Sequence, residues 1–445
     1  MMAGTKSKGK GGSKGQKARA GSKGRGGARR APARDGGRAA LLARANGVTG
    51  KGGSSLKARG ARGDARPGDT DHPFWRGMGT WLARLLAFAA VVCAAARMMP
   101  EPLQRLPYVP ILISATPWFA LAALLALVLA VLSRRWLTVG VAIACVGLQV
   151  AWQLPFFLGG TTVSVQGRHA TEADGPDLDD TVARVMTLNV YKGQADAAAV
   201  VDLVRDENVE VLALQETTDV FVDQLSAAGI DRYLPYHHVA SSDGAFGNGV
   251  WSASELADPV DDEVGSSASF MPAGTVAFPN KRIRFVSVHT TAPVPGYWKQ
   301  WDRSLDELAA MGSRDGAIYV FMGDFNATWD HAAFRDILGT RFSDAARKAG
   351  SGLTLTWPAN RSVSPGLGVW QRAADGGELE TTDSSGVESK APDTRFDVPP
   401  LFGIDHILLD RGINVNGMEL REIPGADHAA LLGTIEVTDG AGQFN

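Results

Sequence analysis

The sequence predicts a mixed α/β sandwich that follows three apolar helices of membrane length and a basic, disordered N-terminal tail. Three observations predict this. Strand-like and helix-like periods alternate between residues 184 and 338, then strand-like segments cluster from 404 onward, a pattern that suits mixed rather than purely parallel sheets. Residues 77–158 hold three long apolar runs separated by short polar breaks. Residues 1–72 carry about 18 Lys and Arg against about 4 acids, with much Gly, Ala and Ser and no apolar period.

At 445 residues the chain exceeds one ordinary domain and divides into two or three regions. The formal net charge of −2 conceals an asymmetry, because a basic tail leaves the remainder acidic. That argues against a broad cationic groove on the C-terminal half, although a metal site still binds phosphate locally. The tail has two readings: a patch for anionic lipid or nucleic acid, or a solvated extension upstream of a later start at Met78. The two cysteines, Cys93 and Cys145, lie in apolar runs and imply neither a disulfide framework nor a zinc thiolate site.

The first apolar run covers about 77–97, with Arg84 near its start and able to snorkel. The second, 111–132, is uncharged, and the third, 136–158, is interrupted only by Gln149 and Gln153. Trp81, Tyr108, Trp136 and Trp152 lie towards the run ends, as interfacial aromatics do. A buried helix of a soluble protein is the alternative for any one run, and three in succession argue against it. The basic tail and the Arg134-Arg135 hinge should face the cytoplasm. Three spans then place everything after Gly159 outside, as the extracytoplasmic domain of a multi-pass cell-membrane protein anchored in the lipid bilayer.

Residues 159–180 read as a polar linker, and the folded domain begins at 181. Strands are expected at 184–190, 209–214, 282–289 and 317–322. Helices are expected at 196–207, where Ala199, Val200, Leu203 and Val204 fall at helical spacing, and at 218–228 behind a Thr217 or Thr218 cap. Further helices follow at 298–311 and 331–338. Late strands are expected at 404–409 and 431–437, with 412–422 between them, and 360–400 reads as a long loop within a domain reaching residue 445.

Gly323-Asp324-Phe325-Asn326 closes the 317–322 strand, and its Asp and Asn should face the same side. Three other clusters fit one site with it: Thr187-Leu188-Asn189, Gln215-Glu216, and the pairs Asp405-His406 and Asp427-His428. Glu216, Asn189 and Asp427 lie at or just after strand ends, where open α/β sheets place their sites, and offer the oxygen ligands that Mg²⁺ or Mn²⁺ prefers. A His such as His428 or the strand-end His289 can act as acid or base or bind phosphate. Together these features predict a metal-dependent phosphoester hydrolase. Taken singly, each has a plainer reading: a turn for Asp324 and Asn326, a local ion pair for Glu216, a surface histidine for His289.

The order Asn189, Glu216, His289, Asp324-x-Asn326, Asp405-His406, Asp427-His428 resembles the endonuclease/exonuclease/phosphatase superfamily over about residues 184–437. The resemblance implies a four-layer α/β/β/α sandwich around two mixed sheets. It implies that Asn189 and Glu216 hold the divalent metal, with Asp427 at its edge. It implies that Asp324, beside Asn326, activates the water. His289 would contact phosphate, His428 would be the catalytic histidine oriented by Asp405, and Asn248 of Gly247-Asn248-Gly249 would line the site. The sequence departs from the family at Gly403, where an Arg is usual, at Ala426-Asp427-His428-Ala429-Ala430, and at Ser252-Ala253. The expected function is a phosphodiesterase or nuclease acting on nucleic acid or lipid headgroups. The alternatives are a lipid- or inositol-phosphate-directed phosphatase or phospholipase, and a non-catalytic surface domain. The sequence leaves oligomeric state open.

Overall fold

The computed structural model describes residues 73–160, 162–165, 167, 179–363, 369–372, 378–380 and 396–442. The basic tail and most of the 159–180 linker lie outside these residues.

Central strands with apolar side chains on both faces build two sheets. The first contains β1 (Val182–Asn189), β2 (Val211–Gln215), β3 (Tyr236–Ala240) and β4 (Asn248–Ser252). The second contains β5 (Ala257–Val260), β6 (Ala273–Ala277), β7 (Arg282–His289), β8 (Ile318–Asp324) and β9 (Ser343–Asp344). Then come β10 (Arg361–Val363), β11 (Val369–Arg372), β12 (Glu378–Glu380), β13 (Phe396–Val398), β14 (Asp405–Leu409), β15 (Ile413–Glu422) and β16 (Ala429–Val437). The sheets order as β15-β16-β1-β2-β4-β3 and β5-β6-β7-β8-β14-β9, and both are mixed because β1 and β2, like β7 and β8, run parallel.

Alternation along each strand makes the layers. Val185, Phe285, Val320, Met322, Ile407 and Ile435 fill the space between the sheets. Met186, Leu188 and Leu212 point the other way, onto helices Ala197–Asp206 and Asp219–Ala228. Val286, Val288 and Phe321 do the same against helices Trp298–Ala309 and Ala332–Leu338. The result is the four-layer α/β/β/α arrangement. Asp196 caps the first of these helices, and Thr218, rather than Thr217, caps the second through Phe221 N at 3.2 Å.

Two expectations are corrected. The second apolar run is not one span. It divides at Ala115 into helices Val109–Ser114 and Thr116–Leu132, each with a proline in its first turn, where the missing N–H and fixed φ favour a helix start. The third helix likewise stops at Gln153 before Pro155. Two helices, Gly77–Met98 and Trp136–Gln153, are therefore long and apolar enough to cross a membrane, and Thr116–Leu132 is a shorter apolar helix of 17 residues. The 360–400 segment is not all loop, since β10 to β13 form a four-stranded antiparallel sheet within it. The strands β3, β5 and β6 went unforeseen; the first is polar, the second carries Pro259 and the third is rich in small residues.

Helices and sandwich belong to one unit, Thr70–Asn445. The three apolar helices pack mainly through small side chains: Ala83, Ala87 and Ala90 meet Ala130, Ala126 and Ala123, with Val139, Ala142 and Cys145 from the last helix. The large apolar side chains point away, with Leu85 64%, Phe88 66% and Leu137 86% exposed. The connector at 97–118 then seats the sandwich. Arg97, over the Trp152 ring at 4.1 Å, pairs with Asp330 at 2.6 Å. Arg105 pairs with Asp302 and Asp306, each at 2.8 Å. Gln104 Oε1 accepts from Ala332 N at 2.9 Å, and Trp118 Nε1 donates to Leu401 O at 2.8 Å. Removing one partner of a buried pair such as Arg97–Asp330 costs about 3–5 kcal/mol.

His331 completes this seat. Its Nδ1 accepts from Thr328 N at 2.9 Å, so the opposite nitrogen, Nε2, carries the proton and donates to Pro110 O at 2.9 Å. Burial lowers its pKa from 6.5 to about 4. The neutral ring therefore stabilises the fold fully above about pH 6.5, and that contribution is lost as pH falls through about 4. Thermal melts of the full chain and of His331→Gln should diverge at neutral pH and converge as pH falls across that window. Parallel pH profiles would remove the ring from the account.

Candidate active site

Strand register brings the distant motifs together. β1, β2, β7 and β8 all end at one edge of the sandwich. β14 runs antiparallel to β8, so Asp405 begins opposite Asp324, while His289 ends beside Asp324 on the parallel strand β7. Asn248 opens β4 opposite Gln215, and Asp427-His428 precedes β16, which runs antiparallel to β1 with Leu431 opposite Thr187. All nine residues singled out from the sequence, Asn189, Glu216, Asn248, His289, Asp324, Asn326, Asp405, Asp427 and His428, thus lie around one edge. Gly323 permits the approach. Its φ is +154°, and a Cβ there would lie 1.9 Å from Val288 O.

Asp324 is buried at the centre. Its Oδ1 accepts from Asn326 N at 2.8 Å, and its Oδ2 accepts from Asn189 Nδ2 at 3.2 Å and Asn326 Nδ2 at 3.1 Å. Asn326, in left-handed backbone at φ 46°, also donates to Thr290 O at 2.8 Å. Burial pushes Asp324 up to about 6 against the opposing pull of His428 and His289. Glu216, at φ 60°, accepts from Asn189 Nδ2 at 3.3 Å and Lys192 N at 2.9 Å, while its own N–H donates to Asn248 Oδ1 at 3.3 Å.

His428 Nδ1 binds Asp405 Oδ2 at 2.8 Å, which directs Nε2 to Asp324 Oδ2 at 3.7 Å and Asp427 Oδ1 at 4.0 Å. Burial opposes charging this ring, but Asp405 and Asp324 outweigh it and push its pKa up to about 10. His289 Nε2 lies 3.7 Å from Asp324 Oδ2 and 3.8 Å from Glu216 Oε1, and its buried Nδ1 has no hydrogen-bond partner among the described residues. These separations exceed hydrogen-bond length. The two imidazoles therefore face Asp324 without bonding it directly. Asp324, Asp405 and His428 also place one potential ligand atom each within 4.8 Å of one another. The Asp405 oxygen nearest the ring is already committed to it, so this cluster is better described as a carboxylate–imidazole–carboxylate relay than as a closed metal cage.

Asp324 and His428 are both buried. Asp427, expected as a metal ligand, is paired through Oδ2 with Arg361 Nη2 at 3.0 Å, and its Oδ1 lies 4.0 Å from His428 Nε2.

Sequence reasoning missed Arg361, which lies in the segment read as loop and covers the Tyr191 ring at 5.4 Å. It also missed Tyr191-Lys192-Gly193, three successive residues with φ 49°, 54° and 73°. That strained run turns Tyr191 N onto Asn189 Oδ1 at 3.0 Å and Lys192 N onto Glu216. Only Gly193 hinted at it. Gly403, where an Arg was usual, has no room for a side chain, since a Cβ would lie 2.4 Å from Thr354 O.

A buried carboxylate flanked by oriented imidazoles and amides at the shared edge of an α/β/β/α sandwich defines a phosphoester hydrolase. The chain belongs to the Endonuclease/Exonuclease/phosphatase family, whose model matches residues 186–428. No curated protein matches the sequence. Among solved structures, the chain is similar to D. rerio TDP2 complexed with single-strand DNA product, at 15% identity over 58% of this chain and 100% of that one, with a TM-score of 0.42. It is also similar to the 3′ phosphatase NExo from Neisseria bound to a product DNA hairpin, at 19% identity over 57% and 99%, with a TM-score of 0.38. A third is the endonuclease/exonuclease/phosphatase from Beutenbergia cavernae, at 14% identity over 58% and 72%, with a TM-score of 0.37.

Asp405→Asn keeps the shape of the side chain but removes the charge that orients and charges His428. Turnover of bis(p-nitrophenyl) phosphate by the purified full chain should fall by about 10²-fold or more. An unchanged rate would take Asp405 out of the site.

Proposed function

We propose that the protein is a membrane-anchored phosphodiesterase that uses a divalent metal ion and acts outside the cytoplasm. The observation that carries the chemistry is the buried Asp324 between His428 and His289. Asp324 takes a proton from the attacking water as its oxygen bonds phosphorus. The bond from phosphorus to the leaving oxygen breaks, and His428 Nε2 supplies that oxygen's proton. Asp405 holds the His428 ring in register, Asn326 holds Asp324, and His289 faces the phosphoryl oxygens.

The donor set suits Mg²⁺ or Mn²⁺ in its carboxylate oxygens and lack of thiolate: Asn189 Nδ2 bonds both Glu216 and Asp324 where a cation would stand in its place, while Asn189 Oδ1 accepts from Tyr191 N. Glu216 and Asn189 would hold the ion, with Asp427 at the edge beside Arg361 and Asn248 behind Glu216. When bound, it neutralises charge on the phosphoryl group.

The bundle supports the anchoring. Small side chains inside and large apolar ones outside invert the order of a water-soluble bundle and suit a lipid surround. The sandwich packs on the connector at 97–118, at the bundle end opposite the Arg134-Arg135 hinge. A cytoplasmic hinge then puts the sandwich outside, with Thr116–Leu132 as a short third span.

Asp324→Asn should cut turnover by about 10³-fold with an unaltered melting profile, and chelation of divalent ions should abolish wild-type turnover until Mg²⁺ or Mn²⁺ is restored. Full activity in chelator would end the metal assignment. A reporter that works only in the cytoplasm, fused after Asn445, should be silent; an active one reverses the topology.

A further inference from the structure

The rim of the active site is apolar where the chemistry calls for none of it. Phe246 is 56% exposed, Phe270 43%, Val294 44% and Tyr297 54%. Each is tied to a site residue. Phe270 N donates to Phe246 O at 3.1 Å, and Phe270 O accepts from Asn248 Nδ2. Val294 and Tyr297 lie on the turn that leaves His289, closed by Tyr297 N to Val294 O at 3.0 Å.

The same turn leads to the membrane end of the molecule. Trp298, next to Tyr297, packs on Tyr108 of the connector with ring centroids 5.4 Å apart. From the other side, Asn326 is five residues from His331, which bonds Pro110 O of the connector at 2.9 Å. Asp324, seven residues from His331, lies at most about 25 Å from it along the chain, so the site is within one protein loop of the connector. The ion pairs of Arg97 and Arg105 hold the sandwich in that seat.

We infer that the apolar rim rests on the bilayer the bundle crosses, and that the phosphoester entering the site is a lipid headgroup of that same leaflet. This rests on the hydrolase reading above and names its substrate class. Charge favours it over a polyanion. With the tail's 18 basic and 4 acidic residues set aside, the chain holds 27 Lys and Arg against 43 Asp and Glu. A nucleic acid would bring a row of phosphates to that surface without the counter-charges it needs. A lipid brings one headgroup to Arg361 and the two histidines, and acyl chains to the rim.

The full chain in proteoliposomes of phosphatidylglycerol, phosphatidylinositol, phosphatidylethanolamine and cardiolipin, with Mg²⁺, tests this. The aqueous phase is assayed for released phosphate esters, alongside deacylated glycerophosphodiesters, a single-stranded oligonucleotide and bis(p-nitrophenyl) phosphate. A vesicle lipid should turn over about ten-fold faster than its deacylated counterpart, and Val294→Asp with Tyr297→Asp should lower the ratio of lipid to bis(p-nitrophenyl) phosphate turnover by about ten-fold. Turnover of bis(p-nitrophenyl) phosphate without any lipid release, a faster oligonucleotide, or an unmoved ratio would overturn the inference and leave the hydrolase standing. No turnover of any ester would instead sink the hydrolase reading beneath it.

Discussion

Asp324 is a carboxylate kept from water, and the rest of the site is arranged to meet it. An isolated buried charge is prohibitively expensive, so each of its oxygens must find donors or a cation. The donors come from four directions: Asn326 from its own turn, Asn189 from the neighbouring sheet, and His428 and His289 at slightly longer range. Meeting that demand requires two sheets to present their edges together. The sheet pairing therefore follows the same geometry as the chemistry. Gly323 shows how tight the requirement is, because the strand must pass so near Val288 O that no side chain fits.

The same logic separates the two imidazoles. His428 is charged by the carboxylates on both sides of it, whereas His331, buried among backbone groups on the connector, is held neutral. Two buried histidines thus take opposite protonation states because one faces carboxylates and the other a carbonyl and an N–H. One lies at the candidate site beside Asp324, and the other joins the sandwich to the helices.

The helices and sandwich also show opposite solutions to burial. The sandwich puts Phe, Ile, Leu and Val inside, as burial from water demands. The bundle puts Ala and Cys inside and sends Leu and Phe outward. Small side chains let the helix backbones approach closely.

How much was legible follows from what kind of signal each feature leaves. The central strands and the helices that flank the two sheets were readable because their periods are local. So were the acids, amides and imidazoles of the site, because Gly323-Asp324-Phe325-Asn326 and the two Asp-His pairs are contiguous in sequence. The edge strands β3 and β5, and β6 beside β5, were not, since polar or small residues there leave no apolar period. Arg361 and the left-handed Tyr191-Lys192 turn were invisible for a related reason: their roles come from a partner far along the chain. Composition by itself determined the apolar runs, the acidic balance of the larger part and the residue types available for catalysis. Only the tertiary structure decided that Asp427 answers to Arg361 and that His331 reaches Pro110 O of the connector. Those outcomes depend on contacts between residues tens to hundreds of positions apart, and side-chain chemistry read along the chain carries no record of which distant groups will meet.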